Sequence, residues 1–180
     1  QFSISTTMVP IEYEGAEGKI KINLLDTPGY FDFVGEVEEA VSAADAAIIV
    51  VNCKAGIEVG TEKAWDLCEE YKLPRIIFVT NMDDEHADYM KVVDQLRDLY
   101  GKRIAPFHLP IREDHKFTGV VNVVTLKGRR FTGGGKWEER DVPDDVQDDL
   151  EPCREALMEA VAETSEEYME RYFDGGEFTV

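Results

Sequence analysis

Asp26-Thr27-Pro28-Gly29-Tyr30 is the stretch whose residue types and spacing best suit chemistry. A carboxylate beside an exposed peptide N–H is what a Mg²⁺-bound phosphate needs: the acid holds the ion, usually through water, and the amide meets a phosphate oxygen. Gly29 lets a bulky ligand approach that amide, Pro28 fixes φ, and Tyr30 then faces the terminal phosphate. The plainer reading is a tight turn with an acid near a helix N-terminus, which steadies any helix by a fraction of a kcal/mol. A second polar stretch, Thr80-Asn81-Met82-Asp83, follows the apolar run Ile76-Ile77-Phe78-Val79. Read plainly, it is a strand-to-helix turn with Asp83 as N-cap.

The elements that must position these residues follow from hydrophobic periodicity. Ile20, Ile22 and Leu24 alternate with Lys19, Lys21 and Asn23, a strand that ends at Asp26. Residues 8–14 form a second strand, held to an edge by Pro10, with a hairpin turn at residues 15–18. Val34, Val37, Val41 and Ala44 mark one face of a helix. The runs at 46–51 and 75–80 read as strands buried on both faces, as in a parallel sheet. Between and after them, a helix at 61–71 turns Ala64, Leu67, Cys68 and Tyr71 inward, and one at 86–100 turns Tyr89, Val92, Val93, Leu96 and Tyr100 inward. This alternation predicts an α/β fold with a mainly parallel, doubly wound sheet, whose ligand crevice lies at the carboxyl ends of the strands. Asp26 and the turn at 80–83 both stand at such ends.

From residue 102 the character changes to short β-like pieces at 103–108, 118–124, 129–132 and 137–141, then helices at 144–162 and 165–173 with an N-terminal cap around Ser165 and Glu167. The expected division is therefore 1–101 and 102–180, the second part an α+β appendage. Gly133-Gly134-Gly135-Lys136 lacks the G-x-x-x-x-G-K-[ST] register of a phosphate loop and reads as a hairpin turn.

A formal charge of −19, from 38 acids against 19 Lys and Arg, argues against gripping a nucleic-acid backbone with a basic face. Cys53, Cys68 and Cys153 are odd in number and lack metal spacing, as do His86, His108 and His115, so the thiols read as reduced and cytosolic. No apolar run reaches 18 residues, and no signal-peptide pattern opens the chain. The expectation is a cytoplasmic protein with no membrane contact and no sequence-specific nucleic-acid partner.

In order along the chain, Ser3-Ile4-Ser5, Asp26-Thr27-Pro28-Gly29 continuing through Phe31-Asp32-Phe33 and Glu36-Val37-Glu38, Thr80-Asn81-Met82-Asp83, and Glu159-Ala160-Val161-Ala162-Glu163-Thr164 resemble the bacterial translation elongation factor G family. The resemblance implies an internal part of a P-loop-type GTPase domain, beginning after its phosphate loop, with the family's inserted subdomain from residue 102. It implies GTP and Mg²⁺ as cofactors. Ser3 maps to the hydroxyl ligand of Mg²⁺, while Gln1 and Phe2 depart from the family's Gly and Ile; Asp26, a second Mg²⁺ contact, opens the nucleotide-binding motif that runs on through Thr27, Pro28 and Gly29. Tyr30 occupies the place of the family's water-orienting histidine. A phenol stays neutral where imidazole can become a cation, so hydrolysis is expected to be weaker by about 10- to 10³-fold. Such a change also suggests a divergent paralogue.

The family's guanine-reading motif, Asn-Lys-x-Asp, maps to Thr80, Asn81, Met82 and Asp83, and only Asp83 keeps its identity. Its carboxylate can accept both N–H donors of the guanine edge. The implied partner is the ribosome, including its stalk protein, and the implied task is translocation or a related step. On this reading the 180-residue chain alone is inactive. The alternative is a non-hydrolysing ribosome-binding or regulatory module that keeps the GTPase fold; a receiver-like α/β domain is disfavoured because the acids do not cluster.

Overall fold

Val9, Ile11 and Tyr13 alternate with other residues and lie opposite Leu24, Ile22 and Ile20, so β1 (Thr7–Gly15) and β2 (Gly18–Asp26) form the expected antiparallel hairpin. The computed structural model describes residues 3–15, 18–176 and 178. Ala16 and Glu17, in the middle of the expected turn, lie outside these residues, as do Gln1 and Phe2. The chain divides into two compact units, residues 1–80 and 81–180.

In the first unit a 3₁₀ turn (Phe31–Phe33) leads into α1 (Val34–Ala43), followed by β3 (Ala47–Asn52), α2 (Val59–Glu70) and β4 (Arg75–Thr80). β3 and β4 pair in parallel, with Ile48 beside Ile76 and Val50 beside Phe78. The α/β class is as expected, but the described strands of the first unit form two separate pairs, β1 with β2 and β3 with β4. The expectation of strands buried on both faces is corrected: Ile49 and Val51 are buried, while Ile48, Val50, Ile76 and Phe78 are exposed. A two-stranded ribbon with α2 against β3 covers one face of a pattern that is apolar on both.

Glu58 and Thr61 close a capping box at the start of α2. Its inner residues are Thr61, Trp65 and Cys68 rather than Ala64, Leu67 and Tyr71. Trp65 is buried because the Arg75 guanidinium lies 4.1 Å over its ring and donates to its carbonyl at 3.2 Å.

In the second unit α3 (Tyr89–Tyr100) starts later than periodicity suggests, since Asp88 accepts from the Lys91 N–H at 3.1 Å and fixes the N-cap there. Four strands follow, β5 (His108–Glu113), β6 (Lys116–Asn122), β7 (Lys127–Gly133) and β8 (Lys136–Arg140), antiparallel in the order 5-6-7-8. The first strand begins only at His108, the last residue of the expected 103–108 piece; residues 101–103 form a 3₁₀ turn instead. Gly134 and Gly135, with φ of 60° and 74°, make the tight β7–β8 turn, as the triplet was read. Helix α4 (Asp144–Ala162) lays Val146, Leu150 and Cys153 on Leu109, Ile111, Val121 and Val123, and Tyr89 and Met90 pack against this core. Ser165 caps α5 (Glu166–Phe173) by accepting from the Tyr168 N–H at 3.2 Å; Glu167 is one position short of completing a capping box. Among the described residues, no helix is long and apolar enough to cross a membrane.

Candidate functional site

β2 carries Asp26 exposed at its last position. Pro28 is buried and anchors the turn, while Gly29 and Tyr30 are exposed. The Phe33 N–H donates to the Tyr30 carbonyl at 3.1 Å, closing the 3₁₀ turn that feeds α1. Gly29 has no left-handed φ, and a Cβ built there meets nothing within 4 Å. Neither backbone strain nor packing among the described residues asks for glycine at this position.

The hairpin register sets Thr7 opposite Asp26. Ser3, half-buried, stands four residues before Thr7, a reach of at most about 14 Å along extended chain. Thr6 has a role the sequence did not disclose: its N–H donates to Glu36 Oε2 at 2.7 Å and its hydroxyl to the Glu36 carbonyl at 3.1 Å. The segment after Ser3 is thereby tied to α1, the helix that the Asp26–Tyr30 turn enters. A polar pair such as Thr6-Thr7 carries no local pattern that could have signalled this.

Among the described residues, no group of three or more His, Cys, Asp or Glu could hold a metal ion. A single exposed carboxylate such as Asp26 still suits Mg²⁺, which takes one or two protein ligands and completes its shell with phosphate oxygens and water. Cys53, Cys68 and Cys153 are buried, and burial pushes the Cys68 and Cys153 thiols up, away from nucleophilic use.

At the end of β4, the Thr80 hydroxyl donates to the Val51 carbonyl at 3.3 Å, and the Cys53 N–H donates to the Thr80 carbonyl at 2.9 Å. Thr80 therefore ties the ends of β3 and β4 together. Asn81, the first residue of the second unit, has φ of 56°. After it Met82 is buried and Asp83 exposed, so the reversal sends one side chain inward and presents the carboxylate to solvent.

A strand ending in Asp-Thr-Pro-Gly, a helix starting at once, and a parallel βαβ pair define an α/β domain of the GTPase type, here followed by an α+β subdomain. The family model of the elongation factor Tu GTP binding domain matches residues 1–170, and the chain belongs to that family. It is 37% identical over 142 residues to an elongation factor G-like protein of Thermotoga maritima, covering 79% of this chain and 20% of that protein. Elongation factor G of Chlamydia trachomatis is 38% identical over 128 residues, covering 69% of this chain and 18% of the factor. A crystal structure of a protein from Thermus thermophilus superposes with a TM-score of 0.88 at 37% identity, covering 99% of this chain and 26% of the other. The chain thus spans about a fifth of the length of the relatives it matches.

Proposed function

We propose that this chain is part of a translational GTPase resembling elongation factor G, which couples Mg²⁺·GTP binding and hydrolysis to ribosomal translocation or a related step in the cytoplasm. The observation that carries the reading is the Asp26–Gly29 turn, an exposed acid and an uncrowded amide between a strand end and a helix start. A glycine that neither φ nor packing demands is explained by a phosphate approaching its N–H.

Asp26 and the Ser3 hydroxyl would hold Mg²⁺, which supplies charge neutralisation of the phosphates when bound. Thr27 and Pro28 shape the turn, Gly29 donates its N–H to a terminal phosphate oxygen, and the Tyr30 hydroxyl orients the attacking water. Asp83 accepts from the guanine edge; Thr80 braces the strand ends behind it, and Asn81 supplies the reversal. Residues 1–101 are read as the GTPase portion and 102–180 as its insert, the portion that meets the ribosome and its stalk protein.

The test uses the full-length protein. GTP binding should be at least tenfold tighter than ATP binding, and Asp83→Asn should remove that preference; equal affinities for the two nucleotides exclude the reading. The 180-residue chain alone, which contains no G-x-x-x-x-G-K-[ST] segment, should not bind GTP at micromolar concentrations in calorimetry.

Tyr30 favours one second reading, a ribosome-binding module that no longer hydrolyses GTP. Single-turnover hydrolysis separates the two. Tyr30→His should raise the rate by about 10- to 10³-fold if an active enzyme has been slowed at this position. An unchanged, negligible rate selects the non-hydrolysing module.

A further inference from the structure

The loop that carries Asp83 is held by a residue from the insert. Arg112, on β5, donates from Nη2 to the Met82 carbonyl at 2.8 Å and to the Ala87 carbonyl at 3.1 Å. Its other terminal nitrogen, Nη1, donates to the His115 carbonyl at 3.3 Å, in the β5–β6 turn where Asp114 and His115 both have positive φ. One planar guanidinium thus joins both ends of residues 82–87 to the β5–β6 hairpin.

The rest of the loop is a chain of short-range turns. The Asp84 N–H donates to the Asn81 carbonyl at 3.2 Å, the Ala87 N–H to the Asp84 carbonyl at 3.1 Å, and the His86 N–H to Asp84 Oδ1 at 2.9 Å. These bonds fix local curvature, whereas the Arg112 fork fixes where the curved piece sits. The Met82 carbonyl belongs to the peptide whose nitrogen is that of Asp83, so holding that oxygen sets the rotation of the peptide and the direction of the Asp83 Cα–Cβ bond. Among the described residues, Asp83 makes no side-chain hydrogen bond that could aim its carboxylate instead, and it is exposed.

We infer that Arg112 is a positioning residue for base recognition, through which the insert sets how sharply Asp83 discriminates guanine. This rests on the reading of Asp83 as the base-reading carboxylate. A bidentate contact tolerates little angular error, so loosening the peptide weakens recognition of the base without touching the phosphate end.

The experiment measures GDP, GTP and ATP binding and steady-state turnover on the full-length protein with Arg112→Ala, Arg112→Lys, Asp83→Ala and the Arg112→Ala/Asp83→Ala double variant. Arg112→Ala should weaken GDP and GTP binding about tenfold, the scale of one charge-assisted bond lost to the loop. KM for GTP should rise in step while kcat moves less than twofold. Arg112→Lys keeps the charge but not the fork; it should lose about threefold and covers the case in which the alanine variant folds poorly. In the Asp83→Ala background, Arg112→Ala should cost no further affinity, which a general loosening of the fold cannot mimic. If the wild-type protein prefers guanine nucleotides and Arg112→Ala leaves their affinity unchanged, or costs the same with and without Asp83, the inference is overturned while the GTPase reading stands. If the wild type shows no guanine preference, both fall.

Discussion

The β3–β4 pair and the four-stranded sheet are both rich in apolar residues, yet they bury them very differently. In the second unit Leu109, Ile111, Val121 and Val123 line one face, α4 covers it, and Val121 is 0% exposed. In the first unit apolar residues occupy both faces of β3 and β4, and Ile76 and Phe78 remain 70% and 59% exposed. The second pattern alternates and needs one cover; the first does not alternate and needs two. A bare face of four large apolar residues is the kind of surface a soluble protein covers with something. Stability should accordingly reside in the second unit, and nucleotide chemistry in the first unit and the loop that follows it.

Two glycines sharpen this contrast most. A Cβ at Gly119, on β6, would drive into the Arg129 carbonyl oxygen on β7, a backbone atom that cannot swing aside. Gly119→Ala should therefore destabilise the second unit by about 3 kcal/mol, read from urea unfolding. At Gly29 the same change meets open space and no positive φ, so stability should hold or rise by about 0.4–1 kcal/mol. In the full-length protein Gly29→Ala should still weaken GTP binding. Equal stability losses at the two positions would break the division of labour.

Core truncations come next. Leu109→Ala removes a side chain that is 1% exposed and should cost about 2–5 kcal/mol. Phe78→Ser alters the bare face and should cost under about 0.5 kcal/mol, read from urea unfolding. A large loss at Phe78 would mean that this face is covered in solution.

What the sequence disclosed and what it hid divide along the same physical line. Local signals were legible: the hairpin at Gly134-Gly135, the span of α4, the Ser165 cap, and the strand that ends at Asp26. Each depends on neighbours within a few residues. β5 was misplaced because Pro106 and Pro110 both look like breakers, whereas Pro110 is tolerated on a strand that pairs with β6 alone. Trp65 was missed because its cover is Arg75, ten residues on. Arg112 and Thr6 were invisible for a stronger reason: the partners through which Arg112 holds the 82–87 loop and Thr6 holds α1 are 25 to 30 residues away, and several are backbone carbonyls, which every residue possesses. At the candidate site the acid and the glycine announce themselves by type, while the residues that aim them do not.

The smallest expected effect is a pH dependence confined to one unit. All three histidines lie in residues 81–180, so only that unit can respond through imidazole between pH 7.5 and 5.5. Burial, helped by the positive charge of Arg129, holds His108 below the usual histidine range. Above about pH 6.5 the ring is neutral in folded and unfolded chains alike, and its contribution to stability is intact. As pH falls through that value, the unfolded chain takes up a proton that the folded one resists, so stability declines until the lower folded pKa is reached. The urea midpoint of the second unit should therefore drop modestly from pH 7.5 to 5.5, and His108→Gln should flatten that slope. Glu113, held down chiefly by its hydrogen bond from Arg140 with Arg130 beside it, loses its contribution only at lower pH, as the carboxylate range is entered. A midpoint that falls equally in the first unit, which has no histidine to protonate, would show that the two units do not unfold separately and that the contrast between them is one of packing rather than of independent stability.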